Sequence, residues 1–276
     1  MLHVLVPHCY VVPGAHPVGH VHVIQLPRTP AWRVVIDLLG TSAGDAPTVA
    51  SATATAAADR LDALRDDPSL TYCFWLLTRL ASAARGPDFV DDLAVLGLSA
   101  RPAASVVGFV SQVTDRVRDE IGRHPESGPF GELASLALRR ALLETVGTEG
   151  RSLFGSSLED LERAFRQHAT PVQFGHLARG FFGDFLARTL RFYVEKELSN
   201  RVGASPALVT TADSRAFADE LDRYGREAAG IMEGFAVDWF DLHHWRADGW
   251  IGREEAQGFV AHALDKLRGE LARSQA

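Results

Sequence analysis

Histidines are concentrated at the beginning of the sequence, where their spacing could support metal chemistry. Five of the eleven lie within the first 22 residues, at His3, His8, His16, His20 and His22. His20 and His22 would share one face of a strand, because side chains alternate along a strand. With His8 and Cys9 they are candidate ligands for zinc or another transition metal. The alternative is a His-rich surface that contacts a partner or solvent, since no Asp or Glu precedes Asp37 to complete a hydrolytic site.

These ligands would need a β-hairpin to bring them together. Residues 2–6 and 18–24 are rich in β-branched side chains, and residues 13–17 carry a Pro-Gly turn signal, which together predict a hairpin over residues 1–26. A lone hairpin is marginally stable in water and must pack on something else. It could also extend a partner's sheet through backbone hydrogen bonds. The candidate partner-binding side chains are Val4, Val6, Val21, Val23 and Ile24.

Helical patterns dominate from about residue 47, so we expect a mainly α fold, a multi-helix bundle with an N-terminal β-hairpin. The predicted units are residues 1–46 as the hairpin arm and a short connecting element, 47–150 as one helical bundle and 151–276 as a second. The two bundles could equally form one continuous domain. Thr29 and Pro30 could begin a short helix that ends at Gly40, although residues 32–36 read equally well as a strand.

Capping signals and apolar spacing predict the main helices. Asp67 and Pro68 should begin a buried helix, and a short helix should end at Gly97. A further helix should begin at Pro129, and its predicted inward residues are Leu133, Leu136, Leu142 and Leu143.

Thr170-Pro171 begins a long helix that can run to Gly203. Its Gly180, Gly183 and Ala187 predict close approach of a neighbouring helix.

Residues 212–245 are predicted to form a second long helix. A heptad seam runs along it, at Phe217, Leu221, Tyr224, Ala228, Ile231 and Phe235. This seam favours antiparallel packing on the preceding long helix, and a homodimer contact is the alternative. A last helix should cover residues 253–272.

Catalytic motifs are missing from the sequence, and the balance favours a non-catalytic protein. We find no G-x-S-x-G, P-loop, G-x-G-x-x-G or H-E-x-x-H pattern. Residues 248–255 copy the second half of an EF-hand loop, but the first half lacks oxygen ligands, so calcium is not expected. Arg179, Arg188 and Arg191 could form a basic strip, although i,i+4 pairing with Asp184 and Glu195 accounts for much of it.

Charge and composition narrow the classes of partner. The chain of 276 residues has a net charge of -7, which argues against a general nucleic-acid binder. Its two cysteines, Cys9 and Cys73, form no disulfide framework. The first residues lack a basic signal-peptide region, and the most apolar stretch, 70–77, is too short to span a bilayer. We therefore expect a cytoplasmic protein with no membrane partner.

Three segments of the C-terminal half carry a family resemblance, at residues 154–161, 181–188 and 238–256. Their pattern is similar to uncharacterised bacterial proteins encoded as accessory members of multi-gene systems, including systems for defence against phage. The resemblance implies a subunit of a larger assembly, and it implies no catalytic residue.

The leading hypothesis is thus a non-catalytic scaffold or adaptor subunit that binds other protein subunits. The alternatives are a metal-dependent enzyme or metal sensor that uses the His-rich hairpin, and a nucleic-acid-binding accessory protein, which its charge disfavours.

Overall fold

The computed structural model describes residues 29–41, 45–99, 106–146, 158–199, 211–246 and 250–273. The predicted hairpin, with all nine of its candidate metal-binding and partner-binding residues, lies outside these ranges and stays a prediction.

The described residues are mainly α-helical and contain no strand, which confirms the helical part of the predicted fold. None of these helices is both long enough and apolar enough to cross a membrane. In chain order they are α1 (Pro30–Leu39), α2 (Ala46–Leu61), α3 (Pro68–Ala83), α4 (Phe89–Val95), α5 (Val106–Ile121), α6 (Pro129–Val146), α7 (Leu158–Gln167), α8 (Pro171–Ser199), α9 (Thr211–Ala228), α10 (Gly230–Arg246) and α11 (Arg253–Arg273).

Side-chain caps fix where several helices begin. Thr29 accepts a hydrogen bond from the backbone N–H of Trp32 at 3.4 Å, and Asp67 accepts one from that of Leu70 at 2.7 Å. Each cap is followed by a proline, whose missing N–H costs nothing at a first helical position. The helical reading of residues 32–36 is therefore correct and the strand reading is wrong.

Helix α3 is buried almost all round, as its sequence predicts. Its Phe74 stacks on Phe259 of α11, with ring centroids 4.4 Å apart, and lies 5.4 Å from Phe182 and 5.8 Å from Trp239. Residues of both predicted bundles therefore contribute to one hydrophobic cluster. Separate folding of the two bundles stays a prediction.

Helix α8 packs antiparallel against α9 and α10 in succession. A Cβ built on Gly225 of α9 would lie 2.7 Å from the backbone nitrogen of Ala187, and one on Gly183 would lie 3.4 Å from the Cβ of Ala229. The predicted close approach is confirmed at Ala187, and Gly183 is also in contact with the neighbouring helix. It is wrong for Gly180, where a Cβ would meet nothing within 4 Å.

The second long helix is not continuous, contrary to the prediction for residues 212–245. It is interrupted at Ala229, where α9 ends and α10 begins. Gly230 follows directly, and glycine is a poor helix former. Both segments pack on α8, as predicted, but through residues beside the heptad seam, such as Gly225 and Ala229. Phe235 of the seam instead stacks on Phe259 of α11.

One predicted inward residue of α6 points the other way. Leu136 is 39% exposed, whereas Ala134 and Leu138 are buried. Two residues along a helix correspond to about 200° of rotation, so Leu136 faces away from its buried neighbours. Leu142 is buried, and Leu133 and Leu143 are partly buried against the core.

Candidate functional site

The predicted metal ligands His8, Cys9, His20 and His22, like the predicted partner contacts, lie outside the described residues. Among the described residues, no group of three or more His, Cys, Asp or Glu side chains is placed to hold a metal. Cys73 is fully buried in α3. Burial raises the pKa of its thiol, so it stays protonated and serves as a core residue.

An apolar groove lies between α1 and α2, with one side chain from α9 at its edge. Its volume is about 660 Å³. None of the described side chains that line it is charged. Val34 of α1 is 53% exposed and contributes an accessible apolar side chain to this lining. The lining residues are Ala31, Val34, Leu38, Pro47, Thr48, Ser51, Ala52, Thr55 and Tyr224.

A second, polar cavity lies where α6, α8 and α9 meet. Its volume is about 260 Å³. We call it the arginine cleft, because one arginine from each of the three helices lines it: Arg140 from α6, Arg179 from α8 and Arg226 from α9. Gly180 and Gly183 on α8 leave room between these side chains. The other lining residues are Glu144, His176, Asp184, Ala187 and Asp222.

Asp184 links α6 to α8 beneath the cleft. Its carboxylate is buried and accepts hydrogen bonds from Arg140 Nη1, at 2.9 Å, and from Arg188 one turn further along α8. Arg140 also donates through Nε to Glu144 at 2.7 Å. The hydrogen bond to Glu144 contributes most to raising the pKa of the Arg140 guanidinium, which stays charged.

Asp222 links α9 to α8 in the same way. It accepts hydrogen bonds from Arg191 of α8 and from Nη2 of Arg226, the latter at 3.2 Å. The basic strip expected on α8 is therefore neutralised partly across helices: Arg188 pairs with Asp184 as predicted, while Arg191 reaches Asp222.

Arg179 and His176 meet Glu233 of α10 at the rim. Arg179 Nη1 donates to Glu233 Oε2 at 2.9 Å, and His176 Nδ1 lies 3.3 Å from Oε1. The hydrogen bond from Arg179 contributes most to lowering the pKa of the Glu233 carboxyl. Four helices thus contribute to three groups of paired charged side chains around the cleft.

Binding of an anion is the chemistry that this arrangement supports. Each guanidinium has five N–H donors in a fixed fork, and the contacts above engage one nitrogen of Arg179 and one of Arg226. Sequence reasoning singled out Arg179 but missed Arg140 and Arg226. They stand 39 and 47 residues from it along the chain, so spacing gives no signal that the three converge.

A comparison of the chain with protein-family models, with curated proteins and with solved structures gives no match. The resemblance of the C-terminal segments to accessory proteins of bacterial multi-gene systems therefore stays a hypothesis.

Proposed function

We propose that this protein is a non-catalytic scaffold or adaptor subunit, and that the apolar groove between α1 and α2 binds an amphipathic helix of a partner subunit. The observation that carries the proposal is the groove's uncharged lining together with its exposed Val34. A trough between two helices is a common receptor for the apolar face of a third helix. A charged partner segment would lose hydration there without gaining an opposite charge.

The composition of the N-terminal segment and its position before α1 also support the proposal. Residues 1–27 contain no Asp, Glu, Lys or Arg, although such residues make up 23% of the whole chain. Arg28 separates this uncharged segment from Thr29, the cap of α1. The hypothesised partner-binding residues, between Val4 and Ile24, thus shortly precede in sequence the helix that forms one wall of the groove.

A charged side chain in the groove tests the proposal. We expect Val34→Asp to lower recovery of the partner at least tenfold while the helix content stays unchanged, because Val34 is exposed and its replacement creates no cavity. The matched control is Val172→Asp on α8, where valine is similarly exposed but far along the chain from the groove. Val172 lies in the first turn of its helix, where a negative charge is well tolerated.

The measurement is quantitative mass spectrometry of proteins recovered with tagged wild type, Val34→Asp and Val172→Asp from the native host, followed by reconstitution with the purified partner. The proposal holds if a partner binds wild type and Val172→Asp but not Val34→Asp. Equal recovery by all three, recovery of nothing by wild type, or self-association of the chain through the groove would each contradict it. A variant that lacks residues 2–26 separates the contribution of the N-terminal segment from that of the groove.

A further inference from the structure

We propose that the arginine cleft binds the phosphate group of a small molecule, a site separate from the groove and independent of the adaptor function. Its volume of about 260 Å³ is below the range usual for drug-sized ligands, so the ligand would be small. The site would take either inorganic phosphate or a compact phosphomonoester.

The exposed fractions of the charged side chains in the cleft favour the binding of an anion. The carboxylates of Asp184 and Asp222 lie low, with side chains 8% and 15% exposed, whereas the side chains of Arg140, Arg179 and Arg226 are between 43% and 61% exposed. Two of the three lining carboxylates are therefore less exposed than the arginines, whereas the third, Glu144, is 58% exposed and pairs with Arg140. A ligand that enters from solvent can reach the guanidinium groups without first meeting Asp184 or Asp222.

Among the described residues, three arginines and three carboxylates line the cleft. The ion pairs in and around it join five arginines to four carboxylates, because two of the carboxylates are each shared by two arginines. The arginines are Arg140, Arg179, Arg188, Arg191 and Arg226, and the carboxylates are Glu144, Asp184, Asp222 and Glu233. The N–H donors of each guanidinium group form a fork that suits phosphate oxygens.

Gly180 adds open space to the cleft that it lines. No neighbour lies within 4 Å of a Cβ built there, so packing does not require a glycine, as is also the case at Gly258 on α11. Unlike Gly258, Gly180 lies between Arg140, Arg179 and Arg226, where a bulky side chain would fill the cleft.

Binding can be measured by isothermal titration calorimetry of the full chain in a phosphate-free buffer. The probes are inorganic phosphate and ribose 5-phosphate, with sodium chloride at equal ionic strength as the reference. We expect saturable binding of at least one phosphate probe and none of chloride. Tighter binding of ribose 5-phosphate would identify a phosphomonoester as the ligand, and tighter binding of inorganic phosphate would identify the free ion.

Three variants and one matched control locate the site. Arg179→Gln and Arg226→Gln should each weaken phosphate binding at least tenfold. Gly180→Leu should abolish it while every charge is retained. The control is Arg223→Gln, one turn before Arg226 on α9, where the arginine pairs with Glu220 and Glu227 outside the cleft. Its affinity should equal that of wild type.

The proposal is overturned if neither probe binds wild type up to about 10 mM, a range that covers weak millimolar affinities. It is also overturned if Gly180→Leu binds phosphate normally, since the ligand would then lie elsewhere. If Arg223→Gln weakened phosphate binding as much as Arg226→Gln, the binding would depend only on the overall surface charge, which would contradict a specific site in the cleft. Circular dichroism confirms that each variant is folded before it is titrated.

Discussion

Gly225 has no room for a side chain, because a Cβ there would approach the backbone nitrogen of Ala187 to 2.7 Å. We expect Gly225→Ala to lower the free energy of unfolding by about 1–3 kcal/mol through overpacking. This should outweigh the roughly 1 kcal/mol that alanine gains in helix propensity. The close atoms belong to the backbone of α8, so no side-chain rotation relieves the contact. Urea denaturation followed by circular dichroism measures the change.

Gly258 of α11 is the matched control, since a Cβ there would meet nothing within 4 Å. Gly258→Ala should raise the free energy of unfolding by about 0.5–1 kcal/mol. If Gly225→Ala proved as stable as wild type, α8 and α9 could not be packed as closely as described.

The glycines of α8 and α9 also show how much of the packing of single residues could be predicted from the sequence. Its glycine pattern on α8 indicated close helix packing, and that is correct at Gly183. The same pattern cannot distinguish a glycine that admits a neighbouring helix from one that leaves a cavity, as at Gly180. Nothing in the sequence singled out Gly225, because the atoms that require it belong to a helix more than 25 residues earlier.

At the scale of elements, Glu120 joins the end of α5 to the start of α11. Its buried carboxylate accepts hydrogen bonds from Arg253 and from Arg123, the latter at 2.8 Å. Burial raises the pKa of this carboxyl, but the two arginines outweigh burial and hold the pKa below its ordinary value of 4.5. We expect Glu120→Gln to lower the free energy of unfolding at neutral pH by about 1–3 kcal/mol, because it removes the charge from charge-assisted hydrogen bonds.

The pH dependence follows from the direction of that pKa. As pH falls below about 4.5, the unfolded chain binds the proton before the folded protein does, so the stability due to Glu120 is lost as pH falls through the folded pKa. The difference between wild type and Glu120→Gln should therefore shrink below pH 4.5. Asp119→Asn, at the exposed neighbouring position, should change stability by less than about 0.5 kcal/mol. A difference that grew on acidification would contradict this assignment.

Element boundaries were predictable where local chemistry sets them. Asp67-Pro68 and Thr170-Pro171 mark the starts of α3 and α8, and each cap side chain accepts a hydrogen bond from the backbone N–H three residues further on. Gly97, with φ of 73°, ends α4 as expected. The pairs that build the arginine cleft were not predictable, because Arg140 meets Asp184 and Arg191 meets Asp222 only after three helices have packed together.

At the scale of the whole molecule, Phe74 stands where α3, α8, α10 and α11 meet. It stacks on Phe259 and contacts rings on α8 and α10, so its removal should weaken both predicted bundles together. We expect Phe74→Ala to lower the free energy of unfolding by about 3–5 kcal/mol. Tryptophan fluorescence and far-UV circular dichroism should report a single urea transition, shifted equally for both probes. The exposed Leu242→Ala is the control and should change stability by less than about 0.5 kcal/mol.

Two separate transitions, of which Phe74→Ala shifts only one, would instead divide the protein into independent bundles near residue 150. The apolar groove would then belong to more than one folding unit, because Tyr224 from α9 stands beside α1 and α2. With a shared core, the groove belongs to a single folding unit. The packing of α3 against α8 and α11 would then hold both the groove and the arginine cleft as fixed surfaces. The urea experiment therefore decides whether both proposed binding surfaces are preformed, which is the condition for high affinity without a cost of ordering.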